Sequence, residues 1–193
     1  MYKPRNYEST QEFGTFEPLQ LGGHVCKICK VTETTSRNGK PMAVIWLDIA
    51  EGEQKGYYAK LWQSGDRNKE KWPCAVYQLE EDSNGNTNMG YKTFLEAVKR
   101  SNPGFDENRL WADNGNDYLK NKLIGGVFGR EQYENNRGEL RFSTKCVYFR
   151  DVETIRKGVE VPPDKLLEGA KPPVCDPLSD YEPIVTDDDD MPF

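Results

Sequence analysis

Histidine is almost absent from this sequence of 193 residues, and long apolar runs are absent altogether. With His24 as the one imidazole, catalysis by a histidine base and histidine-rich metal sites are disfavoured. No apolar stretch approaches the ~20 residues that cross a bilayer. The first residues also lack the apolar segment of a secretory leader. We therefore expect a cytoplasmic protein.

Apolar residues are sparse, at 36% of the chain, against the usual share of about 45–50%. Aromatic residues still make up 11%, which is enough for the core of one domain. The five cysteines, in a chain without a secretory leader, indicate free thiols in a reducing compartment rather than a disulfide framework. We expect no cofactor.

Charge is distributed unevenly along the chain. Residues 161–193 contain two basic and nine acidic side chains, whereas residues 1–160 contain 24 basic and 23 acidic ones. The composition predicts a nearly neutral folded domain over 1–160 and a disordered acidic tail over 161–193. The negative net charge of −6 belongs to the tail, so it does not exclude a polyanionic partner for the domain.

The order of predicted elements is three strands, one helix and two strands. Alternating apolar residues and turn signals predict strands over 19–35, 42–50, 57–63, 123–133 and 140–150. Tyr91, Phe94, Leu95 and Val98 recur at helical spacing between the third and fourth strands. This order matches a mainly β fold, the five-stranded OB barrel.

Aromatic and basic side chains alternate with the aliphatic residues of these strands. Ala43, Ile45, Leu47 and Ile49 are expected to face the core, as are Leu140, Phe142 and Cys146. The opposite face would offer stacking rings and phosphate-binding cations, as OB folds do for single-stranded nucleic acid. The candidate DNA-binding residues are Arg37, Lys40, Trp46, Tyr58, Lys60, Trp62, Arg141 and Lys145.

Two points remain open in this interpretation. Either Lys27 or Lys30 faces outward, depending on whether the first strand contains a bulge. Trp46 and Trp62 either lie bare for stacking or pack beneath the insertion over 64–90 as a second small core.

The last seven residues combine a run of acid with an apolar end. They are Asp187, Asp188, Asp189, Asp190, Met191, Pro192 and Phe193. A pocket with an apolar floor and a basic rim would bind the Phe193 ring and its carboxylate, while the aspartates steer it there. This tip resembles that of bacterial single-stranded DNA-binding proteins, with Met191 where isoleucine or leucine is commoner. The resemblance implies partners among replication, recombination and repair proteins.

Five segments of the body resemble small single-stranded DNA-binding proteins encoded by phages and prophages. They are GGHVCKI (22–28), GKPM (39–42), DIAEGE (48–53), LIGGVFG (123–129) and STKC (143–146). The resemblance implies an OB fold that binds single-stranded DNA without reading sequence, in the cytoplasm of a host cell, with a homo-oligomer as one possible state.

Other motifs are weaker. Cys26 and Cys29 have the spacing of a zinc half-site, but residues three apart in a strand face opposite sides. Asp48 with Glu53 and Lys55 resembles a metal-dependent nuclease site, although the latter two fall in a turn. We therefore expect a binding protein rather than an enzyme. The alternatives are an adaptor that uses only its tail and, less favoured, a nuclease.

Overall fold

The structure is a computed structural model that describes residues 2–5, 7–8, 17–64 and 72–167. Within those ranges the chain is mainly β, with one five-stranded antiparallel sheet and five short helices. None of the described helices is long and apolar enough to cross a membrane. Most of the predicted tail, including the tip over 187–193, lies outside the described residues.

The first two strands form the predicted hairpin. β1 (Gly22–Thr35) and β2 (Pro41–Ile49) pair antiparallel along most of their length. In the turn, the Ser36 amide donates to the Lys40 carbonyl at 2.8 Å. Gly39 has a φ of 77° there, which glycine adopts without steric cost.

The predicted third strand is wrong, because its residues form a helix, α1 (Tyr57–Ser64). Alternation over so few residues also fits a helix with one apolar side, so the pattern alone was ambiguous. The deciding group is the buried carboxylate of Asp48 in β2. Its Oδ1 accepts hydrogen bonds from the amides of Tyr58 and Ala59 at 3.0 and 3.4 Å. A helix leaves such N-terminal amides without internal partners, so Asp48 caps α1.

The third strand lies instead inside the segment 64–90. β3 (Ala75–Leu79) pairs with β2, with Val76 opposite Ile45. The helix predicted from Tyr91 to Val98 is confirmed as α2 (Met89–Ser101), capped by the Asn88 side chain. The later elements are α3 (Glu107–Leu110), α4 (Gly115–Leu119), β4 (Leu123–Glu134), β5 (Leu140–Arg150) and α5 (Val152–Lys157).

The strands lie side by side in the order β3-β2-β1-β4-β5. β3 and β5 are therefore the edges, and no strand pairing joins them among the described residues. The predicted inward face of β2 is confirmed, since Ala43, Ile45, Leu47 and Ile49 are all buried. They pack in one core with Phe94 of α2 and Phe128 of β4, both fully buried. A second, smaller cluster joins Val25 and Val127 to Val152 and Ile155 of the chain after β5. Within the described residues the sheet is open between β3 and β5.

The glycines of β4 lie beside a bulge in β5 and a close approach of α5. The pairing of β4 with β5 shifts register between Val127 and Phe128, whose partners are Tyr148 and Cys146, so Val147 of β5 is the extra residue. A Cβ on Gly125 would lie 2.3 Å from the Ile155 side chain of α5. Since real contacts are never that short, glycine here lets α5 pack directly on the sheet.

The alternation predicted for β5 is partly wrong. Cys146 and Phe142 are partly buried, but Leu140 is 52% exposed. Leu140 pairs with Glu134 at the end of the β4–β5 hairpin, beyond the core that the sheet encloses.

The start of the predicted tail packs on the sheet. Lys165 pairs with Glu131 of β4, and its carbonyl accepts a hydrogen bond from the Gln132 amide at 2.8 Å. Arg130 forms a two-pronged ion pair with Asp164. The body therefore makes contacts up to the end of the described residues at Leu167.

Candidate functional site

One face of β1, β2 and β3 carries an uncommon set of aromatic and basic side chains. Trp46 in β2 lies between Lys30 of β1 and Ala75 of β3 in the pairing register. Two residues along the sheet, Val44 lies between Thr32 and Tyr77. Because Ile45 points into the core, these neighbours point to the opposite side. We call this side the outer face.

A bulge in β1 places both lysines on the outer face. The register skips one residue between Ile28 and Lys30, so that Cys29 is the extra residue. Lys27 stands opposite Asp48 and Lys30 opposite Trp46, and these two β2 positions share a face. Residues three apart normally face opposite sides, and the inserted residue removes that difference. The open alternative between Lys27 and Lys30 is thus resolved in favour of both.

The two lysines differ in how they are engaged. Lys30 is exposed, and its ammonium group is 5.1 Å from the centre of the Trp46 ring. The Lys27 ammonium is 3.9 Å from an oxygen of the Asp48 carboxylate. Lys30 is therefore the cation of this pair that remains available to a phosphate.

Three indole rings cluster at the outer face. Trp46 and Trp72 stack in parallel, with centroids 6.2 Å apart and 4° between their planes. Trp72 also contacts Trp62 of α1 at 5.8 Å, and its Nε1 donates to the Leu47 carbonyl at 2.7 Å. Each of the three is half-buried. The prediction that Trp46 and Trp62 lie bare is wrong, because Trp72 from the segment 64–90 packs against both rings. The three rings nevertheless remain half-buried and are not enclosed in the core.

Tyr58 does not belong to this face. It is 5% exposed, packs against Phe128 with centroids 6.2 Å apart, and lies in the main core. Burial raises the pKa of its phenol far above the ordinary value. The prediction of an exposed Tyr58 is wrong because it depended on the third strand that is in fact α1. Lys60, in the same helix, is exposed as predicted.

The basic residues of the first turn are only partly free. Arg37 is exposed between β1 and β2. The Lys40 ammonium donates to the backbone carbonyl of Asp82 at 2.7 Å, which ties this turn to the loop after β3. Arg37 is therefore the better placed of the two to contact a ligand.

The basic residues predicted on β5 are exposed but engaged. Arg141 forms an ion pair with Glu139 at 2.9 Å. Lys145 contacts the Glu131 carboxylate, which Lys165 also contacts at 2.7 Å. Hydrogen bonds from these two ammonium groups lower the pKa of Glu131 to about 2. In the strand order, β4 separates β5 from the three strands β1, β2 and β3 that carry the outer face.

Tyr77 is the residue of the outer face that the sequence interpretation missed. Its side chain is 63% exposed, and it lies beside Val44 in β3. The signal was present, since Ala75 to Leu79 contains a β-branched and an aromatic residue within a short apolar run. The expectation of a third strand over 57–63 leaves no strand for Tyr77, because that segment is α1 and the third strand is β3.

The four cysteines in the described ranges form no metal site. Cys26, Cys29, Cys74 and Cys146 are free thiols. Burial raises the pKa of Cys74 to about 12, so its thiol stays protonated at neutral pH. Within the described ranges, no group of three or more histidine, cysteine or acidic residues is arranged to hold a metal ion.

No protein-family model matches this chain, and a search of curated proteins finds no match either.

Proposed function

We propose that the chain is an OB-type protein that binds single-stranded DNA on its outer face, without reading sequence and without catalysis. The observation that carries this is the group formed by Lys30, Trp46 and Tyr77, a cation and two aromatic rings on three adjacent strands, with Tyr77 one row of paired residues further along the face. Stacking on such rings contributes about 1–3 kcal/mol per base, and every base has a face that can stack.

The strand order supports the OB assignment. An OB barrel pairs β1 with both β2 and β4, and places β3 and β5 at the remaining ends, often partly open. The described sheet has that order, and α2 lies between β3 and β4 in the chain.

Each part of the outer face has a distinct role in this proposal. Tyr77, the most exposed ring, receives a base on its open side. The Trp46–Trp72 stack gives a second, partly covered platform whose rings are already held in place, so less side-chain entropy is lost on binding. Lys30 on this face, Arg37 in the turn between β1 and β2 and Lys60 in α1 are exposed cations suited to phosphates.

The tip over 187–193 completes the proposal. We propose that it recruits replication or recombination proteins of a phage or its host through Phe193 and the preceding aspartates. The nuclease alternative has less support, because Asp48 is buried and its Oδ1 is already the acceptor for two helix amides.

A fluorescence titration with oligo-dT tests DNA binding. Tyr77→Ala should weaken binding by about tenfold or more, the loss of one stacked base. Lys30→Gln should reduce the slope of log K against log salt by about 0.7, the value for one phosphate contact on a single strand. Tyr133→Ala is the matched control, since Tyr133 is also an exposed strand tyrosine but lies on the β4–β5 hairpin. Equal affinities for Tyr77→Ala and the unmodified protein would contradict the proposed face.

A further inference from the structure

The gap between the two edge strands is a groove with strand edges on both sides. A cavity of about 660 Å³ lies there, lined by residues of β3, the start of α2 and β5. We call it the β3–β5 seam. Its walls include most of β3 and the part of β5 from Thr144 to Arg150. Neither ring of the Trp46–Trp72 stack lines it, whereas Tyr77 of the outer face does.

The seam has the features of a site for an added strand. β3 pairs only with β2, and β5 pairs only with β4 in the described sheet. Each edge therefore presents backbone groups that a further strand can satisfy, on β5 to either side of the extra residue Val147. The Tyr148 and Phe149 carbonyls of β5 already accept from the Cys146 and Arg150 side chains. Three large apolar side chains at this site are also strongly exposed: Tyr77 at 63%, Met89 at 83% and Val147 at 55%.

The charge of the seam favours an acidic occupant. Lys145 and Arg150 line it, and no acidic side chain is among its lining residues in the described part of the chain. Lys145 is shared with Glu131, so Arg150, which stacks on Tyr148 at 4.8 Å, is the less engaged cation.

The chain itself contains a segment with the complementary chemistry. Ile184, Val185 and Thr186 are three consecutive β-branched residues, the type that favours strands, and four aspartates follow them. The described chain ends at Leu167, whose amide approaches Gln132 of β4. Gln132 pairs with Phe142, two residues before the seam begins at Thr144.

The connection is long enough. Sixteen residues, 168–183, separate Leu167 from Ile184. Sixteen residues extend to at most about 53–58 Å, whereas the path to the seam is about 7 Å along β5 and about 14 Å across β4 and β5. Tethering at this length gives an effective concentration in the millimolar range.

We propose that residues 184–186 add to the β3–β5 seam as a strand, with the aspartates that follow beside Arg150. The added strand would bridge the two edges and leave the tip over 191–193 available. This inference does not depend on DNA binding.

Hydrogen exchange of the DNA-free full chain tests the proposal, read on peptides that cover 75–79 and 144–150. The variant replaces Ile184 by Gly, Val185 by Ser and Thr186 by Gly, and the control replaces Leu178 and Ser179 by Gly. With ~1 mM effective concentration and a ~0.1 mM dissociation constant, the edge amides should exchange about tenfold faster in the variant than in the control. A synthetic peptide of residues 181–190 should restore the protection in the variant.

A second pair of variants tests the groove itself. Val147→Glu places a negative charge in the seam, whereas Leu140→Glu places one at an equally exposed position of the same strand outside it. Only Val147→Glu should accelerate exchange of the edge amides. Unchanged exchange in the tail variant overturns the proposal. Protection that falls on dilution also overturns it, in favour of a second copy in the seam.

Discussion

Asp48 should contribute to stability through the start of α1, and Asp48→Ala tests this directly. The carboxylate is 1% exposed and accepts hydrogen bonds from the amides of Tyr58 and Ala59. Deleting a helix cap costs about 0.5–2 kcal/mol, and leaving a buried amide unsatisfied costs about 1–3 kcal/mol. Since both figures describe the same amides, they are not added, and we expect a loss of about 2 kcal/mol. For a chain of this size that lowers Tm by about 4–8 °C.

The assay is urea or thermal unfolding followed by circular dichroism, with tryptophan emission as a second probe because Trp62 lies in α1. Asp48→Asn is the control, since its amide oxygen can still accept these hydrogen bonds. It should lose less than half as much as Asp48→Ala. The capping role is refuted if Asp48→Ala unfolds within about 0.5 kcal/mol of the unmodified protein, the usual range for surface changes.

Two further predictions concern β4. Because the pKa of Glu131 is lowered to about 2 by Lys145 and Lys165, its contribution to stability is present above the unfolded pKa of about 4.3. That contribution should fall as pH drops from about 4.3 to 2, and Glu131→Gln should remove this part of the pH dependence of the urea midpoint. An unaltered midpoint profile in Glu131→Gln would count against the ion-pair network. Gly125→Ala should lower the free energy of unfolding by about 1–3 kcal/mol, the cost of overpacking, because its Cβ would meet Ile155 at 2.3 Å. Thermal melts measure this, and a Tm equal to that of the unmodified protein would show that α5 moves away freely.

Most of the sheet was predictable from sequence because its strands are long and one side of each is strongly apolar. The spacing of apolar residues alone predicts the inward-facing residues of β2 and the position of α2. The segment 57–63 was not predictable in that way. Its alternation fits two structures, and the choice depends on Asp48, which is nine residues earlier in sequence and contacts the helix only in the folded state.

The sequence predicts that the candidate site combines aromatic and basic side chains, but it does not predict correctly which residues form it. Lys60 and Arg37 are exposed as expected, although Lys60 lies on α1 rather than on a strand, whereas Trp46 is half-buried. Tyr58 is buried in the core instead of exposed, and the exposed Tyr77 is absent from the predicted set. Both differences arise because the third strand is β3 and not the segment 57–63. The partial cover over Trp46 comes from Trp72, and a stacking contact between residues 26 positions apart leaves no local signature in the sequence.

The extra residue Cys29 decides which side chains of the first strand share a side. Lys27 and Lys30 are three positions apart, and they face the same way because Cys29 is not paired, so that Lys30 follows Ile28 in the ladder. Pairing Cys29 regularly would place the two lysines on opposite sides of the sheet, whereas deleting it would leave them two positions apart and still on one side. This surface therefore tolerates both substitution and loss of residue 29, but it does not tolerate straightening of the bulge.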